Sequence, residues 1–203
     1  FYKTWPNVCL WTEILRNDDI TYMYCMNRVV VKIGGSLIDA AEGVLNELLA
    51  SGVSALVVPG GGIFADSVRA ADLDDDSAHW QAISSMNRYG RYLSTFGFPV
   101  TEHLSMPESG VSILLPEKVL READPLPHSW DVTSDSLALW MAGELGVPLL
   151  LVKSREGDAS DLELVDAYFS NLSASLDVPV YFANGRSCGS VTRVLEADEA
   201  TLL

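Results

Sequence analysis

Val29-Val30-Val31-Lys32-Ile33 is a β-branched run interrupted by one lysine, and it reads as a buried parallel strand. Gly34-Gly35-Ser36 follow it, after which Leu37, Ala41, Val44, Leu45, Leu48 and Leu49 recur at helical spacing until Gly52 closes the helix. Val53 to Val58 is a second strand, ended by Pro59-Gly60-Gly61-Gly62. A short helix is expected from Ile63 to Ala71, an acidic loop from Asp72 to Ser77, and a longer helix from Ala78 to Phe96. Val111 to Leu115 reads as a strand, Pro116 suits the first position of a helix reaching Ala123, and Asp124 to Trp130 is a proline-containing loop. Asp135 to Leu145 is helical with Gly146 as its stop, and Val147 to Val152 is a strongly apolar strand. Beyond it come a polar loop over Arg155 to Asp161, a helix over Val165 to Leu176, a strand over Val178 to Ala183 and a last edge strand over Thr201 to Leu203.

Strands alternating with helices predict an α/β fold, a three-layer αβα sandwich with a mainly parallel central sheet. In such sheets ligands bind at the carboxyl ends of the strands. Lys32-Ile33-Gly34-Gly35-Ser36, the Gly60 to Gly62 turn and Lys153 all fall there. The first 25 residues lack this periodicity and begin with Phe1. They read as an N-terminal extension, with the folded domain expected over 26–203.

Composition narrows the chemistry. Acidic residues outnumber basic ones by 28 to 13, a formal charge of −15, which disfavours nucleic acid and anionic membranes as partners. Cys9, Cys25 and Cys188 form no C-x-x-C pair, so a disulfide scaffold or zinc module is not expected and a reducing, cytoplasmic setting fits. No apolar run is long enough to span a membrane. In so acidic a chain a polyphosphate needs a local positive site, and of four lysines, Lys32 and Lys153 both end strands.

Each motif has a plain reading beside the functional one. Gly34-Gly35 after the first strand can be an ordinary turn, or a backbone nest for phosphate with Ser36 at the helix start. One glycine suffices for a tight turn, so Gly60-Gly61-Gly62 reads as a second phosphate cradle. Gly60-x-Gly62-x-x-Ala65 also meets a loose dinucleotide fingerprint, but no strand ending in an acidic residue follows at the required distance. Trp130-Asp131-Val132-Thr133-Ser134-Asp135-Ser136 carries more polar groups than helix capping needs, and Asp135 is expected to serve a lysine. Gly185-Arg186-Ser187-Cys188-Gly189 matches the nucleophile-elbow pattern, but every histidine precedes it, so it reads as a plain glycine-rich turn. There is no Walker A motif.

Together these segments resemble the amino acid kinase superfamily over Met26 to Leu203: K-x-G-G-S after the first strand, a glycine triplet after the second, an Asp-containing polar turn before a late helix, then a lysine. Pro127-His128-Ser129-Trp130-Asp131-Val132-Thr133-Ser134-Asp135-Ser136 is similar to the signature of a branch of short archaeal kinases in methanofuran biosynthesis, which phosphorylate [5-(aminomethyl)furan-3-yl]methyl phosphate to its diphosphate. The resemblance implies an ATP-dependent kinase and a homo-oligomer; Mg²⁺ is expected to ride on the ATP phosphates, and no protein ligand is named for it. It implies that Lys32 and Lys153 contact the transferring phosphoryl group, that Asp135 holds both lysines, and that Gly34, Gly35, Ser36, Gly60, Gly61, Gly62, Thr133 and Ser134 surround the phosphates. His79, Arg88, Arg91 and His128 are candidates for the acceptor. Lys32→Ala and Asp135→Ala are expected to lose turnover yet stay folded. Another kinase of the superfamily, acting on isopentenyl phosphate, a nucleoside monophosphate or carbamate, is an alternative, as is a non-catalytic nucleotide- or anion-binding protein on the same fold.

Overall fold

The computed structural model describes residues 26–156 and 164–196. The expected N-terminal extension and the edge strand over Thr201 to Leu203 lie outside the described residues. Among the described residues six strands form one parallel sheet: β1 (Arg28–Ile33), β2 (Ser54–Pro59), β3 (Val100–Thr101), β4 (Val111–Leu114), β5 (Leu149–Lys153) and β6 (Val180–Asn184), in the spatial order β3-β4-β2-β1-β5-β6. The helices are α1 (Ala41–Ala50), α2 (Asp66–Arg69), α3 (Asp75–Ser94), α4 (Glu117–Ala123), α5 (Ser134–Leu145), α6 (Phe169–Ser175) and α7 (Ser190–Glu196). The α/β sandwich is therefore as expected, and every strand pairing is parallel.

Side chains alternate across the sheet, so each strand feeds two cores. Val29, Val31 and Ile33 pack with Val57, Val152, α1 and α7 on one face. Val30, Leu56, Val58, Leu149 and Leu151 pack with α5 on the other. α5 is apolar nearly all round and correspondingly buried from Asp135 to Leu139. α3 serves both layers: its Ile83 and Met86 join the α5 side, while Tyr89 and Leu93 join the α1 side. It crosses the strand ends closely, since a Cβ at Gly90 would lie 2.9 Å from Leu115 and 3.3 Å from both Pro59 and the Leu114 carbonyl.

Three local expectations are revised. The glycine-rich segment after β1 forms a separate 3₁₀ turn, Gly35–Leu37, before α1 begins. The helix read over Val165 to Leu176 is confined to Phe169–Ser175, because Asp166 stays outside it and caps from the loop with its side chain. The Gly185 to Gly189 turn is indeed no elbow, but it leads into α7, an element the apolar pattern did not reveal.

Candidate functional site

The order of the sheet sets the location. The chain runs from β1 outward to β2 and β4, then returns to place β5 on the opposite side of β1. β1 and β5 thus flank the point where strand order reverses, the usual crevice in such folds. Their register pairs Lys32 with Leu151. Lys153 lies two residues beyond Leu151, so period-two alternation sends both lysine side chains to the face covered by α5.

There they meet one carboxylate. Lys153 Nζ donates to Asp135 Oδ2 at 2.7 Å. Lys32 Nζ lies 2.8 Å from Asp135 Oδ1 as an ion pair outside hydrogen-bond geometry. The three side chains are 7, 12 and 7% exposed for Lys32, Lys153 and Asp135 respectively. Burial pushes the Asp135 carboxyl up, but Lys32 and Lys153 together outweigh it and hold it below its ordinary value. Burial, reinforced by the Lys32 charge, lowers Lys153 to about 8 against the opposing pull of Asp135. Two ammonium groups against one carboxylate leave the triad itself positive in a strongly negative chain, and the next carboxylate, Asp166, which also acts on Lys153, is tied up by donors of Thr133 and Ser136.

Asp135 is aimed by its helix start. Thr133 caps α5 through its Oγ1, which accepts from the Asp135 amide at 3.5 Å. Asp166 fixes the same turn, accepting from Thr133 N at 2.9 Å, Thr133 Oγ1 at 2.8 Å and Ser136 N at 3.1 Å, and also from Ser136 Oγ. Sequence reasoning missed Asp166. Its signal was only a lone aspartate just ahead of a helix, with no indication that the helix it serves is α5.

The two glycine loops press against each other beside this cluster. A Cβ on Gly35 would lie 1.8 Å from Gly62 Cα, and one on Gly61 would lie 2.7 Å from Ala65 Cβ. Gly62 also has φ +54°, in the left-handed region. Packing therefore requires these three, which revises the expectation that the triplet exceeds structural need. Gly34 differs. A Cβ there would lie 3.6 Å from Lys32 Nζ and 3.7 Å from Ser36 Oγ, so this glycine keeps the space beside that ammonium group clear. Gly60 lies between the two cases: a Cβ there would sit 3.1 Å from the Gly35 amide nitrogen and 3.3 Å from Ser134 Oγ. Tyr89, buried and with its phenol raised by burial, points its hydroxyl at the Gly34 carbonyl at 3.5 Å. Arg186 grips the first loop from the far end of the chain, donating to both Asp39 oxygens and to Ser36 O, each at 2.9 Å.

A cleft opens from the glycine loops. Gly61, Thr133 and Ser134 border it at the loop end, and Ala78, Ala82, Ile83, Met86, Val132 and Leu137 form an apolar wall. Arg69, Asp75, His79 and Trp130 also line it. Arg69 and Asp75 were not anticipated; Arg69 stacks over Trp130 at 5.7 Å. His79 thus lines the cleft. Arg88 and Arg91 are not among its lining residues: both are exposed, and Arg91 opens onto a separate depression with Glu102, Glu117 and Arg121. Helical periodicity explains this, since the cleft takes positions 75, 78, 79, 82, 83 and 86 of α3 and leaves 88 and 91 on other faces. His128 stacks behind His79, with ring centroids 4.0 Å apart, and does not line the cleft.

No protein-family model matches the chain. Among curated proteins it is similar to the [5-(aminomethyl)furan-3-yl]methyl phosphate kinase of Methanocaldococcus jannaschii, at 28% identity covering 82% of this chain and 92% of that protein. Among solved structures it superposes on the UMP kinase of Bacillus anthracis with a TM-score of 0.60 at 14% identity, covering 83% of this chain and 91% of that one. The uridylate kinase of Archaeoglobus fulgidus gives a TM-score of 0.55 at 12% identity, covering 82% and 93%. The fold is that of the amino acid kinases.

Proposed function

We propose that this chain, which has the amino acid kinase fold and a phosphate kinase as a homologue, moves the γ-phosphoryl group of ATP onto the phosphate of [5-(aminomethyl)furan-3-yl]methyl phosphate, giving the diphosphate and ADP. The observation that carries this reading is the convergence of Lys32 and Lys153 on Asp135 beside two glycine loops at the switch point of the sheet.

Phosphoryl transfer asks a protein mainly for position and charge. Lys32 and Lys153 would face the oxygens of the transferring group, with Asp135 holding both ammonium groups in one orientation. Gly34, Ser36, Gly60, Thr133 and Ser134 would border the phosphates, the last two at the amino end of α5. A phosphate acceptor is already mostly ionised near neutral pH, because its second pKa is about 6, so no general base is required. The carboxylates beside this pocket, Asp135 and Asp166, are both engaged by protein donors. Mg²⁺ would therefore ride on the nucleotide with water ligands and supply charge neutralisation there. In the cleft, the apolar wall would receive the furan ring, Arg69 would attract the acceptor phosphate, and Asp75 would meet the aminomethyl group. The cysteine usage supports a cytoplasmic setting, and the family resemblance supports a homo-oligomer.

The decisive assay is product mass spectrometry with ATP and the aminomethylfuran phosphate, run beside UMP, isopentenyl phosphate and carbamate. The expected result is a diphosphate from the furan alone. ADP formed only with another acceptor would reassign the substrate, and no ADP with any acceptor would refute the kinase reading.

A pH signature follows from Lys153. Its folded value of about 8 lies below the ordinary lysine value of 10.5, so above pH 8 the free protein loses the ammonium that the triphosphate needs. We expect kcat/KM for ATP to decline as pH rises through about 8, and ATP binding near that pH to take up a proton. Calorimetry in two buffers of different ionisation enthalpy reads the uptake. Binding without proton uptake at pH 8 to 8.5 would remove Lys153 from the nucleotide site.

A further inference from the structure

Behind the cleft wall at His79, side chains from three segments converge: His79 on the first turns of α3, Asp124 at the end of α4, and His128 in the loop before α5. One ligand atom from each lies within 4.8 Å of the others. We infer that this cluster binds one divalent transition-metal ion of the zinc, cobalt or nickel class through a ring nitrogen of His79, Nε2 of His128 and the Asp124 carboxylate.

The argument begins with His128. Its Nδ1 lies 2.6 Å from Asp76 Oδ1 and its Nε2 lies 2.8 Å from Asp124 Oδ1. A neutral imidazole has one N–H to donate. With that proton given to Asp76, a nitrogen lone pair faces a carboxylate, and the contact needs a cation between them. A proton is one solution. The neighbouring side chain favours a metal, because His79 brings a second imidazole to the same point and completes a two-histidine, one-carboxylate donor set. Such mixed nitrogen and oxygen donors suit zinc and its neighbours rather than Mg²⁺, which prefers oxygen alone.

The surroundings also have the form of a metal site. Asp76 on the second nitrogen of His128 is the outer carboxylate that fixes the tautomer of a ligating histidine. Trp80 packs edge-on against both rings, at 5.0 Å from His79 and 5.2 Å from His128, and Arg121 covers Trp80 at 4.6 Å. Asp124 is held in the left-handed region at φ 41°, the only such non-glycine residue among those described. The stacked rings, inclined by 17°, must turn for His79 to aim a nitrogen inward. The donors then settle about 3.3 Å apart, the edge of a tetrahedron with metal bonds of 2.0–2.1 Å, with His128 Nε2 and Asp124 Oδ1 opening from 2.8 Å to admit the ion. Water completes the fourth position. The ion would tie together the start of α3, the end of α4 and the loop before α5; the first and last of these segments also border the cleft. This site is distinct from the nucleotide pocket and does not depend on the kinase reading.

The test uses the full chain after chelator treatment. Titration with Co²⁺ should give one equivalent of a tetrahedral ligand-field band, and titration with Zn²⁺ should abolish that band. Zn²⁺ should also raise the melting temperature by mass action. His79→Ala and His128→Ala should each weaken Zn²⁺ binding by at least about 100-fold, and Asp76→Asn by about 10–100-fold. Circular dichroism confirms that each variant is folded, and His79→Gln serves if the alanine variant is not. Overturning outcomes are the absence of the cobalt band at millimolar Co²⁺, or wild-type Zn²⁺ affinity in folded His79 variants. Either would leave His128 a proton-held clamp between two aspartates.

Discussion

Replacing Lys32 by alanine is expected to lower kcat by about 10²–10³-fold while the chain remains folded, on the scale of removing one oriented charge from a preorganised site. The structure gives the reason for both halves. Lys32 supplies one of two largely buried ammonium groups, yet its removal still leaves Asp135 paired with Lys153 at 2.7 Å, so no buried charge is stranded. Asp135→Ala is a different experiment. It too should lose turnover, but it removes the single anion between two largely buried ammonium groups. Breaking a buried pair in this way costs about 3–5 kcal/mol, so Asp135→Ala, expected from the sequence to stay folded, should do so with a clear loss of stability. Steady-state kinetics and urea unfolding on the two variants separate these effects. A Lys32→Ala enzyme with turnover near that of the parent would remove Lys32 from the reaction.

Gly34→Ala and Gly35→Ala should fail for opposite reasons. Gly34 has φ −65° and ψ 146°, a conformation alanine adopts readily, and its added Cβ would make ordinary contacts, the nearest being Lys32 Nζ at 3.6 Å. That methyl intrudes on the space proposed for phosphate. We expect ATP affinity to fall by tenfold or more, about 1.4 kcal/mol, with little change in melting temperature. At Gly35 the added Cβ would sit 1.8 Å from Gly62 Cα, and both loops must move. Overpacking of this kind costs about 1–3 kcal/mol, roughly 2–12 °C for a chain of this size. Calorimetric melting and ATP titration on both variants decide the matter. If Gly34→Ala binds ATP as the parent does, the first loop is a packing device and no phosphate cradle.

The glycines illustrate how much was legible. Two glycine clusters at strand ends mark the right end of the sheet, because a turn needing close backbone approach leaves a local trace. Yet the individual roles divide by what stands opposite, Gly62 for Gly35 and the Lys32 ammonium for Gly34. Arg88 and Arg91 were placed on the right helix but off the cleft. Spacing gives relative angles around a helix and not which angle faces the site, and Arg69 and Asp75 supply the cleft's charges instead.

By itself the sequence determined what is local or periodic: the strands of the sheet except the two-residue β3, the extents of α1, α3, α4 and α5 to within a few residues, the glycine turns, and the isolation of Lys32 and Lys153 at strand ends. It also marked Asp135 as a residue needing a charged partner. The tertiary structure alone decided which distant groups meet. Asp166 caps a helix that starts some 30 positions earlier, Arg186 holds a loop 147 positions away, and strand order with register sends both lysines to one face. The physical reason is that secondary structure is encoded by neighbours within a turn or two. The pairing of remote charges follows from how a sheet is wound, and burial then makes such a pairing costly to break.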